Sequence, residues 1–175
     1  MFARGIEVLA LTAALAAAQN VYRQPAGLYS LPLPQGWKVS STTPQGDVHL
    51  LGPGNGAFFG VSYYAKLDEA PDAIDAYKQR LLAKTIPAHK LLKTANVQVD
   101  GAPATAEIYS GFMPDVKVYA VFRFVTVHAG KAGFVMMQET ETKDWDRWKA
   151  DLGVIEHGLR FARVEPDGSF TPVQQ

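Results

Sequence analysis

Apolar positions along this chain recur with two spacings, one that skips a single residue and one that steps by three and four. The first marks half-buried strands and the second amphipathic helices, so the order predicted is strands, a helix, more strands and a last helix. Leu28 to Leu33 reads as the first strand, halted by Pro34-Gln35-Gly36, and Trp37 to Ser41 resumes an extended pattern. A short strand, Asp47 to Leu51, follows. The glycine-rich turn GPGNG at 52–56 then leads into Ala57 to Ala65, where Phe59, Val61 and Tyr63 alternate with Phe58, Gly60, Ser62 and Tyr64. This half is expected to be an antiparallel meander.

Asp68 to Lys84 reads as a helix, with Pro71 in its first turn, acidic residues at 68, 69 and 72 near the positive end of its dipole, and Lys84 at the other end. Ile74, Tyr77 and Leu81 form its expected apolar stripe. Residues 85–93 carry neither spacing. Val97-Gln98-Val99-Asp100-Gly101 ends a strand in an Asp-Gly pair, the pair that suits a two-residue hairpin turn, and Ala104 to Ser110 returns from it. Val116 to His128 is apolar on both faces, with Val118, Phe122 and Phe124 on one and Tyr119, Val121 and Val125 on the other, so it belongs inside a sheet covered on both sides. AGKAG at 129–133 connects it to Phe134 to Thr140.

Thr142 can cap the last helix, whose periodicity is the clearest in the chain: Trp145, Trp148, Leu152, Ile155 and Leu159 fall on one face. That face is expected against the sheet. Regular spacing makes the two tryptophans core residues in preference to a ligand platform.

The ends of the chain change the picture more than its average composition does. Residues 1–18, MFARGIEVLALTAALAAA, have a positive start at Arg4, an apolar run from Ile6 to Ala14 and small residues at 16–18, which is the layout of a secretory signal peptide cut before Gln19. Glu7 at the edge of that run is the argument for the alternative, an amphipathic helix kept in the mature protein. The run is too short and too interrupted for a permanent membrane span. Residues 19–26 and 163–175 are rich in polar residues, Pro and Gly, and are expected as flexible segments on either side of one domain at 27–162.

The chain of 175 residues has 17 basic and 17 acidic side chains, and a cut before Gln19 removes one of each. A neutral balance with interspersed signs argues against nucleic acid, which needs clustered Lys and Arg to displace counterions. With no cysteine there are no disulfides, no thiol chemistry and no lipid attached at a cleavage-site cysteine. The expectation is a periplasmic or secreted protein with no stable membrane anchor.

The run Leu28-Tyr29-Ser30-Leu31-Pro32-Leu33-Pro34-Gln35-Gly36-Trp37 resembles the opening of PsbP-like domains, in which an apolar strand meets Pro-x-Gly-Trp soon after a signal peptide. The hairpin VDGAPATAEIYSG at 99–111 and the closing Leu159-Arg160-Phe161 agree with that family, over roughly residues 27–162. The resemblance implies an α+β fold, an α/β/α sandwich whose mainly antiparallel sheet is flanked by helices. It implies accessory or binding roles with no shared catalytic motif, and no cofactor is expected from the residues.

Enzyme chemistry finds little purchase in the residues. His49, His89, His128 and His157 lack metal-ligand spacing, no serine lies in Gly-x-Ser-x-Gly, and GPGNG precedes a strand where a phosphate loop would open a helix. Glu139, Glu141, Asp144 and Asp146 gather where they complement the dipole of the last helix, and that is the simpler reading beside a hard-cation site. Binding has two local clues. Gly111-Phe112-Met113-Pro114-Asp115 carries Phe112 and Met113 where a connection between strands is usually polar, and alternation puts Tyr63 and Tyr64 on opposite faces so that one can be accessible. The expected function is that of a non-catalytic envelope or secreted protein with a protein partner. The alternative is a secreted hydrolase or small-ligand carrier with a site assembled from dispersed residues, such as His49 or His128 with Glu107 or Glu139.

Overall fold

The computed structural model describes residues 20–129, 131–164 and 170–171. The expected signal peptide and its cleavage point therefore lie outside the described residues. Strand β1 (Asn20–Arg23) occupies half of the segment at 19–26 expected to be flexible, and pairs antiparallel with β2 (Tyr29–Leu33). The chain breaks after β2 at Gly36, whose φ of +82° suits a residue without a Cβ; an added one would also lie 2.8 Å from Pro53 Cγ.

Three strands then form the meander that alternation predicts: β3 (Lys38–Thr42), β4 (Val48–Leu51) and β5 (Ala57–Tyr64). GPGNG closes the β4–β5 hairpin through a single 3-10 turn at Pro53–Asn55. β2 is not part of this meander, contrary to expectation.

Helix α1 (Ala73–Thr85) starts later than expected, because residues 65–72 are spent on turns that bring Leu67 under the sheet. Its buried side chains are Ile74, Lys78 and Leu82, with Tyr77 and Leu81 half-buried beside them, so the stripe is rotated from the predicted one. The rotation is possible because the Lys78 stem is apolar and its ammonium finds Asp75 at 2.8 Å and Glu107 at 2.6 Å.

Four long strands follow: β6 (Lys90–Val99), β7 (Ala102–Met113), β8 (Val118–Ala129) and β9 (Ala132–Glu141). The β6–β7 turn is the predicted Asp-Gly pair, with φ of 49° at Asp100 and 79° at Gly101, the two positive values a type I′ turn demands. Helix α2 (Trp145–Gly158) closes the domain, and β10 (Arg160–Phe161) returns to pair with β2. Part of the expected carboxy-terminal tail is also paired, β11 (Arg163–Val164) with β12 (Phe170–Thr171).

The main sheet has seven antiparallel strands in the order β3-β4-β5-β9-β8-β7-β6, and β1-β2-β10 form a smaller one. Alternation assigns the core to two layers. Phe59, Val61, Val125, Val127, Phe134 and Met136 face Trp148, Leu152 and Ile155 of α2 together with Tyr29 and Leu31 of the small sheet. Phe122, Phe124, Val135 and Met137 face Ile74 and Leu82 of α1. Helices thus cover both faces of a mainly antiparallel sheet, the α/β/α arrangement.

Two polar groups sit inside this packing. Glu156 of α2, 4% exposed, receives both forks of the Arg123 guanidinium, at 3.0 and 2.7 Å, and the amide of Gln138. On the other face Glu107 receives Lys78. Burial alone would lower the Lys78 ammonium; its bonds to Asp75 and Glu107 outweigh that and raise it above the ordinary lysine value.

Candidate functional site

Phe112 and Met113 are not in a loop. They end β7, and the turn that joins it to β8 is residues 114–117, with Lys117 at a φ of 58°. Because successive strand residues face opposite ways, the two are separated. Phe112 is 40% exposed and pairs across the ladder with Tyr119, 66% exposed, their ring centroids 5.2 Å apart. Met113 turns to the α1 face, where it packs half-buried against the core. Val116 in the turn is 58% exposed. The result is an exposed aromatic pair at one end of the sheet, with Val116 exposed in the adjoining turn.

Beneath the same turn a pocket of about 400 Å³ runs between Met113, Val116, Val118 and Phe58, with Glu139 and Glu141 among its lining residues. Glu139 lies opposite Phe58 on β5 and Phe122 on β8. Burial there pushes its carboxyl above the usual carboxylate range. Glu141 pairs with Lys143 at 2.8 Å, and Asp146 with Lys149 at 2.7 Å. The acidic group read from the sequence is thereby dispersed, and among the described residues no three His, Asp or Glu side chains stand where they could hold a metal ion.

Tyr63 and Tyr64 do face opposite layers, and neither is fully exposed. Tyr63 packs on Phe134 with ring centroids 5.1 Å apart, and its amide donates to Asp47 Oδ1 at 3.1 Å. Tyr64 is half-buried on the α1 side, where burial first, and then Tyr77 and Asp47, push its hydroxyl up to about 12.

The histidines do not meet the expected carboxylates. Glu107 is held by Lys78, and no hydrogen bond joins His49 or His128 to Glu107 or Glu139 among the described residues. His49 Nδ1 lies 2.9 Å from Ser41 Oγ, exposed beside the edge strand β3, with the ring of Phe58 as its other neighbour. A Ser–His pair needs a group that orients the imidazole and a site that excludes water; among the described residues no carboxylate bonds to His49, and the pair is exposed. His128 lines a shallow depression of about 570 Å³ with Asn96, Gln98, Thr105 and Thr126.

The sequence reading missed Tyr119 and Val116 as surface residues. The apolar pattern of 116–128 placed them in a buried strand, and only the β7–β8 register shows that the sandwich no longer covers its beginning.

No protein-family model matches the chain, and no curated protein does. Solved structures do. CyanoP, the cyanobacterial PsbP of Synechocystis, superimposes with a TM-score of 0.58 over 87% of this chain and 98% of its own, at 13% identity. This chain has the PsbP-like fold. The Ran-binding protein Mog1p of Saccharomyces cerevisiae shares the PsbP-like fold with it, with a TM-score of 0.55 over 82% of this chain and 95% of Mog1p, at 11% identity. The α/β/α sandwich implied by the Pro-x-Gly-Trp opening and the hairpin at 99–111 is thus the observed architecture.

Proposed function

We propose that this PsbP-like domain is a non-catalytic binding protein of the bacterial envelope or its exterior, and that it contacts another protein through the end of the β7–β8 hairpin. The observation that carries the reading is the Phe112–Tyr119 pair. Two aromatic rings stand side by side and exposed where the sandwich no longer covers the sheet. Tyrosine and phenylalanine are also the side chains that interfaces favour.

Export is supported by the layout of residues 1–18, and binding by the fold's use in Mog1p, a Ran-binding protein. The exposed Ser41–His49 pair favours no hydrolase.

The test places a photo-crosslinking amino acid at Tyr119 in intact cells, with Asp146 on the exposed side of α2 as control. One discrete protein adduct is expected from position 119 and none from 146. No adduct, or the same adducts from both, overturns the assignment of this surface. Amino-terminal sequencing of the exported protein should begin at Gln19, and a retained Met1 would end the export reading.

A further inference from the structure

The strand end that carries Phe112 outward directs Met113 into the pocket on the opposite face, and that pocket has its own chemistry. Its walls are hydrocarbon, from Phe58, Met113, Val116 and Val118. Its polar side chains include two carboxylates, of which Glu141 is already paired with Lys143. Glu139 is not paired: among the described residues no hydrogen bond or ion pair reaches its carboxyl. A half-buried carboxylate between two phenylalanine positions is costly unless something matches it.

We propose that this pocket binds a cation carried on an aliphatic stem, an alkylammonium or alkylguanidinium whose head pairs with Glu139 while its methylenes lie against Met113, Val116 and Val118. An anion would meet two carboxylates. A wholly apolar ligand would leave Glu139 dry and unmatched. A metal ion would need three or more donors together, which the described residues do not supply. A cation on a hydrocarbon stem meets both halves of the site at once, in the way that lysine and arginine lie along apolar surface with the charged head at a polar end. The source is either a free amine or the side chain of a protein seated on the neighbouring Phe112–Tyr119 surface.

The experiment follows the methionine methyl resonances of the folded domain during titration with hexylammonium, hexanol and hexanoate. Hexylammonium should shift the Met113 methyl saturably, at least tenfold more tightly than either of the others. Glu139→Gln should weaken hexylammonium at least tenfold while the other methionine signals stay in place. Val116→Lys, which brings a tethered ammonium to the rim, should weaken it similarly and serves if Glu139→Gln alters the fold. Equal response to hexanol, or undiminished binding in both variants, overturns the proposal. In a second arm, Nα-acetyl-lysine methylamide or Nα-acetyl-arginine methylamide that binds as tightly as hexylammonium identifies a side chain of a protein as the occupant; selectivity for hexylammonium over both identifies a free amine. None of these readouts involves crosslinking at Tyr119, so the two proposals fail separately.

Discussion

Trp37 Nε1 donates to Asp151 Oδ2 at 2.9 Å, a bond that joins the turn ahead of β3 to the middle of α2. The same indole meets Trp148 edge to face, with ring centroids 6.2 Å apart. Pro-x-Gly-Trp is therefore a structural motif in this chain: Gly36 makes the bend, and Trp37 fastens the last helix onto the sheet. Trp37→Ala should cost about 3–5 kcal/mol through the cavity it leaves. Asp151→Ala should cost about 1–3 kcal/mol through the unpaired indole N–H. In denaturant titrations the double variant should lose less than the sum of the two, because they share one bond.

Glu156 is the point on which Arg123 and Gln138 converge inside the α2 layer. Glu156→Ala leaves a largely buried guanidinium, 18% exposed, with no counter-charge, and should cost about 1–3 kcal/mol. Replacing Arg123, Gln138 and Glu156 together by Met, Leu and Leu, so that no member of the cluster is left unpaired, should recover most of that loss, a result readable from the denaturation midpoints.

Glu139 makes the pH dependence of stability testable at one residue. Its carboxyl binds a proton more readily in the folded protein than in the unfolded chain, because burial disfavours the charge. The folded state thus holds the extra proton at the low end of the window, and stability declines as pH rises through it. Glu139→Gln removes the penalty, so the variant should melt above the parent at pH 7, and the gap should close as pH falls below 4.5. Thermal scans across that range check both the sign and the window.

Phe112 and Met113 should separate in stability as they do in space. Phe112→Ser removes an exposed ring and one tilted contact with Tyr119, worth about 0.5–1.5 kcal/mol at most. Met113→Ser removes packing from the α1 layer and should cost about 1–3 kcal/mol. Equal losses measured by urea unfolding would mean that the two side chains share one environment.

Where a residue's local pattern coincides with its tertiary surroundings, the structure was legible in advance. Asp100-Gly101 turns as its dipeptide demands, and Trp148, Leu152 and Ile155 are buried because one helix face meets the sheets, with Leu159 buried just past the helix end. Only the end of β6, at Val97 to Val99, was legible: the strand lies at the sheet edge, exposed along most of its length, so no burial pattern is written into residues 90–96. β1 was missed for a related reason, since four mostly exposed residues become a strand only through their partner β2. The rotated stripe of α1, with Lys78 buried, drew on a carboxylate supplied by β7 as well as on Asp75 of the helix itself. Of the candidate site, Phe112 and Met113 were visible as unusual residues, but their divergence, and the company of Tyr119 and Glu139, follow from strand register.

The order β3-β4-β5-β9-β8-β7-β6 contains one seam. Every other neighbouring pair in the sheet is consecutive in sequence, whereas β5 and β9 are joined through α1 and three intervening strands. Two local meanders can each zip from their own turns, and the domain exists only once they dock along β5 and β9. Closing that long loop is the entropic hurdle of the folding reaction. Weakening the pairs Val61–Met136 or Phe59–Gln138 should therefore slow folding more than it speeds unfolding, while changes in the outlying β6–β7 hairpin should do the reverse.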